Sequence, residues 1–291
     1  MRRPVPRVAA VHDLSGFGRT SLTAIMPILS TLGVQVCPLP TAILSTHTGG
    51  FSDYHFVDLS AELPAMLSHW KSLGLEFDAI YSGFLGSAAQ CKMVSHLIRD
   101  FGGEQVLVVV DPVMGDGGQR YATMGPEMVE AMRELVAEAD LITPNFTEAA
   151  LLLGEEYRHE LEPAQVKDWL LRLGELGPRT VVITSMPVAG RADLSSVVAH
   201  EREDDRFWRV DCTYLPASYP GTGDCFASVL VGSLLQGDSL PIALDRAVQF
   251  VSTAIRASFG YPNPAREGVV LERVLDTLRA PVTGSSFSIM D

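Results

Sequence analysis

The sequence has few cysteines, and their spacing excludes two common kinds of site. Only four cysteines occur in 291 residues, none in a CxxC pair and none near a histidine at metal-ligand spacing. A disulfide framework and a zinc centre are therefore not expected, and we interpret the cysteines as reduced thiols in a cytoplasmic protein. No apolar run reaches the roughly 18 residues of a membrane span, and the first residues lack the apolar segment of a signal peptide.

Positive charge is also scarce. The chain has 22 lysines and arginines against 35 aspartates and glutamates, a formal net charge of −13. General affinity for nucleic acid needs a basic surface, so no nucleic-acid partner is expected. A phosphate ligand remains compatible with this charge, because a few local donors are enough to hold it. Hydrophobic residues make up 47% and charged residues 20%, which indicates a folded protein with a sizeable core.

The common glycine signatures of nucleotide binding are missing. The glycine-rich turn VHDLSGFGRTS at 11–21 has neither GxGxxG spacing nor the GxxxxGK[ST] pattern. Neither a dinucleotide-binding fold nor a P-loop is therefore predicted.

Short β-rich runs alternate with longer amphipathic stretches along the chain. This alternation predicts one doubly wound α/β domain over 1–280, with a mostly parallel central sheet, helices on both faces and a few antiparallel edge strands. Residues 281–291 are expected to form a flexible tail. The predicted strands are 7–11, 34–39, 78–83, 106–111, 140–144 and 180–185, with an antiparallel pair at 195–200 and 206–211. The predicted helices are 20–33, 61–74, 87–103, 125–139, 147–154, 163–177, 223–236, 239–258 and 269–279.

The stretch PGTGDCFASVL at 220–230 places two glycines, a threonine and an aspartate ahead of an apolar run typical of a buried helix. Unpaired N–H groups at the start of a helix attract an anion such as a transferring phosphoryl group. Asp224 could then take the proton of an attacking hydroxyl. The alternative is an ordinary N-cap, for which threonine and aspartate are also suited.

Acidic and hydroxyl side chains follow other predicted strands, where ligands of open α/β sheets bind. Asp111 and Asp116 lie in DPVMGDGG, and Asn145 and Glu148 lie in TPNFTEAALL. These groups could hold Mg²⁺ and nucleotide phosphates, or could simply cap the following helices. Thr184 and Ser185 end a further strand, and His47, alone in a hydroxyl-rich loop, is more typical of a structural than of a catalytic histidine.

With these motifs in this order, the chain resembles the ribokinase-like superfamily, and within it the vitamin B6 kinases. The resemblance extends from residue 7 to residue 260. GTGD is typical of the whole superfamily. The pair DPVMGD and TPNxxE is typical of the vitamin kinases, including hydroxymethylpyrimidine kinase. The pair STHTGG and SGFLGS is typical of the B6 branch. The stretches that carry the resemblance are STHTGG (45–50), YSGFLGS (81–87), DPVMGD (111–116), ITPNFTE (142–148) and GTGD (221–224).

The resemblance implies ATP-dependent phosphorylation of the 5′-hydroxymethyl group of pyridoxal, pyridoxamine or pyridoxine. Asp224 would be the general base, and Gly221, Thr222 and Gly223 would form the anion hole. Mg²⁺ would lie near Asp111 and Glu148, a monovalent cation such as K⁺ would assist, and the protein would be a homodimer. The residues implied around ATP are Asp111, Asn145, Glu148 and Thr184, with Ser185 next to Thr184, and Asp116 is a further candidate for Mg²⁺.

Thr48 and Phe84 would line the vitamer pocket, with Leu44 as a further apolar wall. Two departures from the B6 kinases leave alternatives open. Where many of them have a Ser-His pair after the first strand, this chain has HDLS, so Asp13 and Ser15 are both candidates to meet the ring nitrogen. Phe84 stands where many relatives have tyrosine. The alternative functions are a hydroxymethylpyrimidine kinase, to which the DLSGFG turn is closer, and a non-catalytic B6-binding protein.

Overall fold

The computed structural model describes residues 4–122, 124–158, 160–262, 264–281 and 285–290. These residues form two compact units. One contains the described residues of Met1–Ile80 and Leu215–Ser285, and the other contains those of Tyr81–Tyr214 and Ser286–Asp291. The prediction of a single domain over 1–280 stays a prediction.

The strands are β1 (Arg7–Ser15), β2 (Gln35–Leu44), β3 (Phe56–Asp58), β4 (Ala79–Ser82), β5 (Leu107–Val110), β6 (Gly115–Asp116), β7 (Gln119–Arg120), β8 (Leu141–Ile142), β9 (Thr180–Pro187), β10 (Leu194–Glu201), β11 (Arg206–Thr213) and β12 (Phe287–Ile289). The α-helices are α1 (Ser21–Thr31), α2 (Leu63–Ser72), α3 (Ala88–Phe101), α4 (Pro126–Val136), α5 (Phe146–Leu153), α6 (Pro163–Glu175), α7 (Thr222–Gln236) and α8 (Leu240–Phe259). None of these helices is long and apolar enough to cross a membrane.

The first unit is built around the parallel pair β1 and β2, with the short strand β3 antiparallel to β2. The residues of β1 are almost all buried, as is typical of a strand covered on both faces. Helix α7 packs against α1 and α8, and its apolar run from Cys225 to Ser233 is buried. The end of β1 and the start of α7 are the parts of this unit that matter for the site.

The second unit places β8 between β5 and β9 in parallel pairing. Strand β10 then pairs antiparallel with both β9 and β11, and β12 pairs antiparallel with β11. The prediction of parallel strands with antiparallel strands at the edge is therefore confirmed. The small hairpin of β6 and β7 follows β5 and carries part of the DPVMGDGG motif.

Two predictions near the C-terminus need correction. The helix predicted over 269–279 is replaced by the short 3₁₀ segments Leu271–Arg273 and Leu275–Arg279. The start of the predicted helix is held by α8 instead, because Val270 N–H donates to Ser258 Oγ at 2.9 Å, and the N–H groups that follow bond three residues back, as Val274 N–H does to Leu271 O. Within the predicted flexible tail, β12 makes a ladder with Trp208–Val210, so this part is regular structure. Residues 282–284 and 291 of the tail lie outside the described residues.

Candidate active site

The GTGD stretch forms the start of α7, as predicted. Gly221 is the N-cap residue and has a left-handed backbone, with φ of 84°. A Cβ at this position would lie 2.2 Å from the carbonyl oxygen of Arg19, so only glycine fits without a backbone shift. The first hydrogen bond of the helix runs from Cys225 N–H to Gly221 O. The earlier N–H groups, at Thr222, Gly223 and Asp224, are therefore the ones that an intrahelical partner does not use.

Gly223 occupies a different environment from Gly221. Within the described part of the chain, no heavy atom outside its own helix lies within 4 Å of the place where its Cβ would be. The residue before it is held in place, because Thr222 Oγ1 donates to Tyr219 O at 3.1 Å. A fixed loop with open space at Gly223, at the positive end of a 15-residue helix, is suited to an anion.

Asp224 is the acidic residue of the first turn of α7. Its Oδ2 accepts a hydrogen bond of 2.8 Å from the backbone N–H of Ser21. Burial raises the pKa of Asp224 from 3.8 to about 7, the charge of Asp13 acts in the same direction, and the Ser21 N–H opposes them. A carboxylate that titrates near neutral pH is well matched to general-base chemistry.

Asp13 lies near the end of β1 and is itself buried. Its Oδ1 accepts from Ser21 Oγ at 2.5 Å, and its Oδ2 accepts from Ser15 Oγ at 3.0 Å. Burial raises the pKa of Asp13, although both hydroxyls act against that shift. The two candidates for the ring nitrogen are thus bonded to each other, and Ser21 connects them to Asp224.

Sequence reasoning did not single out Ser21. The signal for it was weak: a hydroxyl residue at the predicted helix start, at the end of the glycine-rich turn at 11–21. Its backbone has φ of 48°, a left-handed conformation that is uncommon for a residue other than glycine.

Leu44 and His47 lie at the end of β2 and in the loop after it. Leu44 is buried and pairs with Ser15 in the β1–β2 ladder, so these two predicted site residues lie at the ends of neighbouring strands. His47 Nδ1 accepts from Gly49 N–H at 3.1 Å, which assigns the ring hydrogen to Nε2, and Nε2 donates to Arg266 O at 2.6 Å. Burial lowers the pKa of His47. With both ring nitrogens bonded to backbone, His47 has the structural role favoured from sequence, and Thr48 beside it is exposed.

In the second unit, α5 begins with a reciprocal pair of hydrogen bonds. Asn145 Oδ1 accepts from Glu148 N–H at 3.0 Å, and Glu148 Oε2 accepts from Asn145 N–H at 2.8 Å. This is a capping box, the structural alternative considered for these residues. The same side chains also hold the turn after β5, because Glu148 Oε1 accepts from Met114 N–H at 3.0 Å and Asn145 Nδ2 donates to Gly115 O at 2.8 Å.

Glu148 and Asp111 are both buried, at 3% and 5% exposure. Burial, followed by the charge of Asp111, raises the pKa of Glu148, while hydrogen bonds from backbone N–H groups oppose the shift. Two carboxyl groups that disfavour each other's charge are stabilised by a divalent cation, and hard oxygen ligands are those that Mg²⁺ takes. These two residues therefore fit Mg²⁺ held partly through water or phosphate. Within the described ranges, no group of three or more His, Cys, Asp or Glu residues forms a complete protein cage for a metal.

The other predicted site residues of this unit differ in how exposed they are and in which strand or turn they lie. Asp116 is exposed, and its Oδ1 accepts from Gly117 N–H at 2.8 Å, so it caps the turn. Thr184 lies beside Asn145 in a parallel bridge, with its N–H donating to Pro144 O at 2.9 Å. Ser185 is exposed, with φ of 56°, and Phe84, just after β4, is partly exposed.

Known proteins are similar to this chain over most of its length. The family model for phosphomethylpyrimidine kinase matches residues 21–266. A pyridoxine/pyridoxal/pyridoxamine kinase from Bordetella avium is 32% identical over 264 residues, covering 85% of this chain and 84% of its own length.

Solved structures are similar over nearly the whole chain. A protein of Bacteroides thetaiotaomicron named as a phosphomethylpyrimidine kinase, crystallised with pyridoxal, has a TM-score of 0.95 and 51% identity, with 98% of this chain and 99% of that chain covered. Pyridoxal kinase from Lactobacillus plantarum has a TM-score of 0.85 and 34% identity, with 94% and 96% covered.

The fold, together with a glycine loop and an aspartate at the start of α7, defines a protein of the ribokinase-like class. Within that class, the chain belongs to the phosphomethylpyrimidine kinase family, which includes the vitamin B6 kinases.

Proposed function

We propose that this protein transfers a phosphoryl group from ATP to the 5′-hydroxymethyl group of pyridoxal, pyridoxamine or pyridoxine. The observation that carries the proposal is Asp224, a carboxylate with a pKa of about 7 in the first turn of α7. The Bordetella relative, which is named for all three vitamers, and the Bacteroides structure, which contains pyridoxal, support this choice of substrate.

Each unit supplies its own part of the chemistry. In the first unit, Asp224 takes the proton of the attacking hydroxyl, and the N–H groups of Gly221, Thr222 and Gly223 stabilise the charge on the transferring phosphoryl group. Leu44 and Thr48 contact the vitamer, and Asp13 or Ser15 meets its ring nitrogen.

In the second unit, Asp111 and Glu148 hold Mg²⁺, which when bound neutralises charge on the nucleotide phosphates. Asp116 is a further candidate to hold Mg²⁺. Asn145, Thr184 and Ser185 contact the nucleotide, and Phe84 contacts the vitamer ring. A K⁺ requirement and a homodimer, both implied by the resemblance, stay part of the proposal.

The test is a phosphorylation assay with ATP, Mg²⁺ and each vitamer, run in K⁺ and in Na⁺ and followed by chromatographic detection of the 5′-phosphate. Asp224→Asn should lower kcat by about 10²–10⁴, the usual contribution of a positioned base, and should leave nucleotide binding intact. A lack of turnover with all three vitamers rejects the proposal. Normal turnover in the variant places the base elsewhere.

A second candidate is phosphorylation of hydroxymethylpyrimidine. It is favoured by the match to the phosphomethylpyrimidine kinase family model and by the DLSGFG turn at 13–18. The kcat/KM values for pyridoxal and hydroxymethylpyrimidine, measured side by side, decide between the two. A non-catalytic B6-binding protein would show vitamer binding and no turnover with either substrate.

A further inference from the structure

Ser21, the first residue of α1, contacts two carboxylates at once. Its backbone N–H donates to Asp224 Oδ2 at 2.8 Å, and its hydroxyl donates to Asp13 Oδ1 at 2.5 Å. Only 5% of Ser21 is exposed. Asp13 in turn has its second oxygen bonded to the hydroxyl of Ser15. A single residue thus bridges the proposed base and a buried acid.

The backbone of Ser21 supports a specific role for its side chain. Its φ of 48° lies in the left-handed region, where glycine would be accommodated without strain. Glycine would still provide the N–H for Asp224 but would lose the hydroxyl for Asp13. A serine kept in an unfavourable conformation, with its hydroxyl directed at a buried carboxylate, indicates that the second contact matters. Strained residues of this kind concentrate at functional sites.

We propose that Ser21 is a positioning residue that fixes Asp224 and joins it to Asp13, so that the two carboxylates behave as one coupled pair. The inference rests on the proposed role of Asp224 as the base. In the coupled pair, Asp13 does not contact the reacting atoms. It acts through Ser21 and through its charge.

The direction of the coupling follows from electrostatics. A neighbouring negative charge disfavours ionisation, so an ionised Asp13 makes Asp224 hold its proton to higher pH. The other titratable groups near the pair are His47, which interacts with Asp13, and Cys225, whose buried thiol lies next to Asp224. Burial keeps both neutral near pH 7, because it lowers the pKa of His47 and raises the pKa of Cys225. Burial is the largest cause of the raised pKa of Asp224, and Asp13 is the neighbouring group whose charge adds to that shift.

Two variants test the pair directly. Asp13→Asn removes the charge, and Ser21→Gly removes the hydroxyl while keeping the N–H and tolerating the left-handed φ. Loss of the hydroxyl makes ionised Asp13 less stable, so both variants should move the titration of Asp224 to lower pH. Ser21→Ala lacks the same hydroxyl but keeps the backbone strain, so it should match Ser21→Gly if the hydroxyl is the cause. Asp205→Gly is the control, because Asp205 also has a left-handed φ, of 49°, and lies exposed in the β10–β11 turn.

The primary measurement is ¹³C NMR of the unliganded protein labelled at the aspartate carboxyl carbons, with the Asp224 signal assigned by its loss in Asp224→Asn. A fall in the Asp224 midpoint by about half a pH unit or more in Asp13→Asn and Ser21→Gly, with no change in Asp205→Gly, supports the pair. The acidic limb of the kcat/KM profile for pyridoxal should move by the same amount, with kcat of Ser21→Gly reduced more than KM is changed.

An Asp224 midpoint that stays at its wild-type value in Asp13→Asn and in Ser21→Gly overturns the inference. If Asp13→Asn does not fold, Ser21→Gly alone decides, since it introduces no strain and no new polar atom. The titration needs no substrate, so a failure of the proposed function, seen as absent turnover, is distinguishable from a failure of the coupling.

Discussion

The two glycines of GTGD provide a paired test of the loop, because the structure assigns them opposite tolerances. In Gly221→Ala, the new Cβ would lie 2.2 Å from Arg19 O, so the backbone must move by about 1 Å to reach ordinary contact. A left-handed φ of 84° costs an alanine about 1–2 kcal/mol, and forced overpacking typically costs about 1–3 kcal/mol. We expect the free energy of unfolding to fall by about 2–5 kcal/mol.

The thermal shift follows from the size of the protein. With an unfolding entropy of about 2.1 cal/mol/K per residue over 291 residues, 1 kcal/mol corresponds to about 1.6 °C. Gly221→Ala should therefore lower Tm by about 3–8 °C in differential scanning calorimetry.

Gly223→Ala should behave in the opposite way. Its Cβ meets no neighbouring atom within 4 Å among the described residues, and alanine is favoured over glycine in a helix by up to about 1 kcal/mol. Stability should be unchanged or slightly higher. The methyl group would occupy the space proposed for the phosphoryl group, so kcat for pyridoxal should fall by about 10²-fold, as when one oxyanion donor is lost. A Gly221→Ala protein with wild-type Tm, or a Gly223→Ala enzyme with wild-type kcat, would refute this account of the loop.

Two further predictions concern stability. The folded-state pKa of Asp224 is raised from 3.8 to about 7, so the native state binds the extra proton and wild-type stability falls as pH rises from about 4 to about 7. In Asp224→Asn, Tm relative to wild type should therefore rise over that range in pH-dependent thermal unfolding, and a constant difference would contradict the raised pKa. In Glu148→Gln, one carbonyl oxygen must replace two acceptors for the N–H groups of Met114 and Asn145, so urea unfolding should show a loss of about 1–3 kcal/mol. Asp116→Asn, at an exposed position, is the matched control, and its free energy of unfolding should stay within about 0.5 kcal/mol of wild type. Equal losses in the two variants would contradict the structural role of Glu148.

Much of the architecture could be read from local patterns. Alternating apolar strands and amphipathic helices predict a mostly parallel α/β fold, because side-chain periodicity and short connections are encoded within each segment. The capping box of Asn145 and Glu148 spans four residues and was visible as an alternative from sequence. The helix predicted over 269–279 was wrong, because a tertiary hydrogen bond from Val270 N–H to Ser258 Oγ holds the chain where that helix would begin, and two 3₁₀ segments follow.

By itself, then, the sequence determined the fold class, the strand ends that carry acidic residues and the glycine-rich GTGD stretch at the start of α7. It could not assign a role to Ser21, and it could not show that Asp13 and Asp224, which occur in different motifs, are connected through that residue. Asp224 lies 203 positions from Ser21, and Asp13 lies eight positions before it. Hydrogen bonds across such separations, and the burial that raises the pKa of both carboxyls, exist only once β1, α1 and α7 have packed together. Only the tertiary structure therefore decided which residues surround the proposed base and how readily it takes a proton.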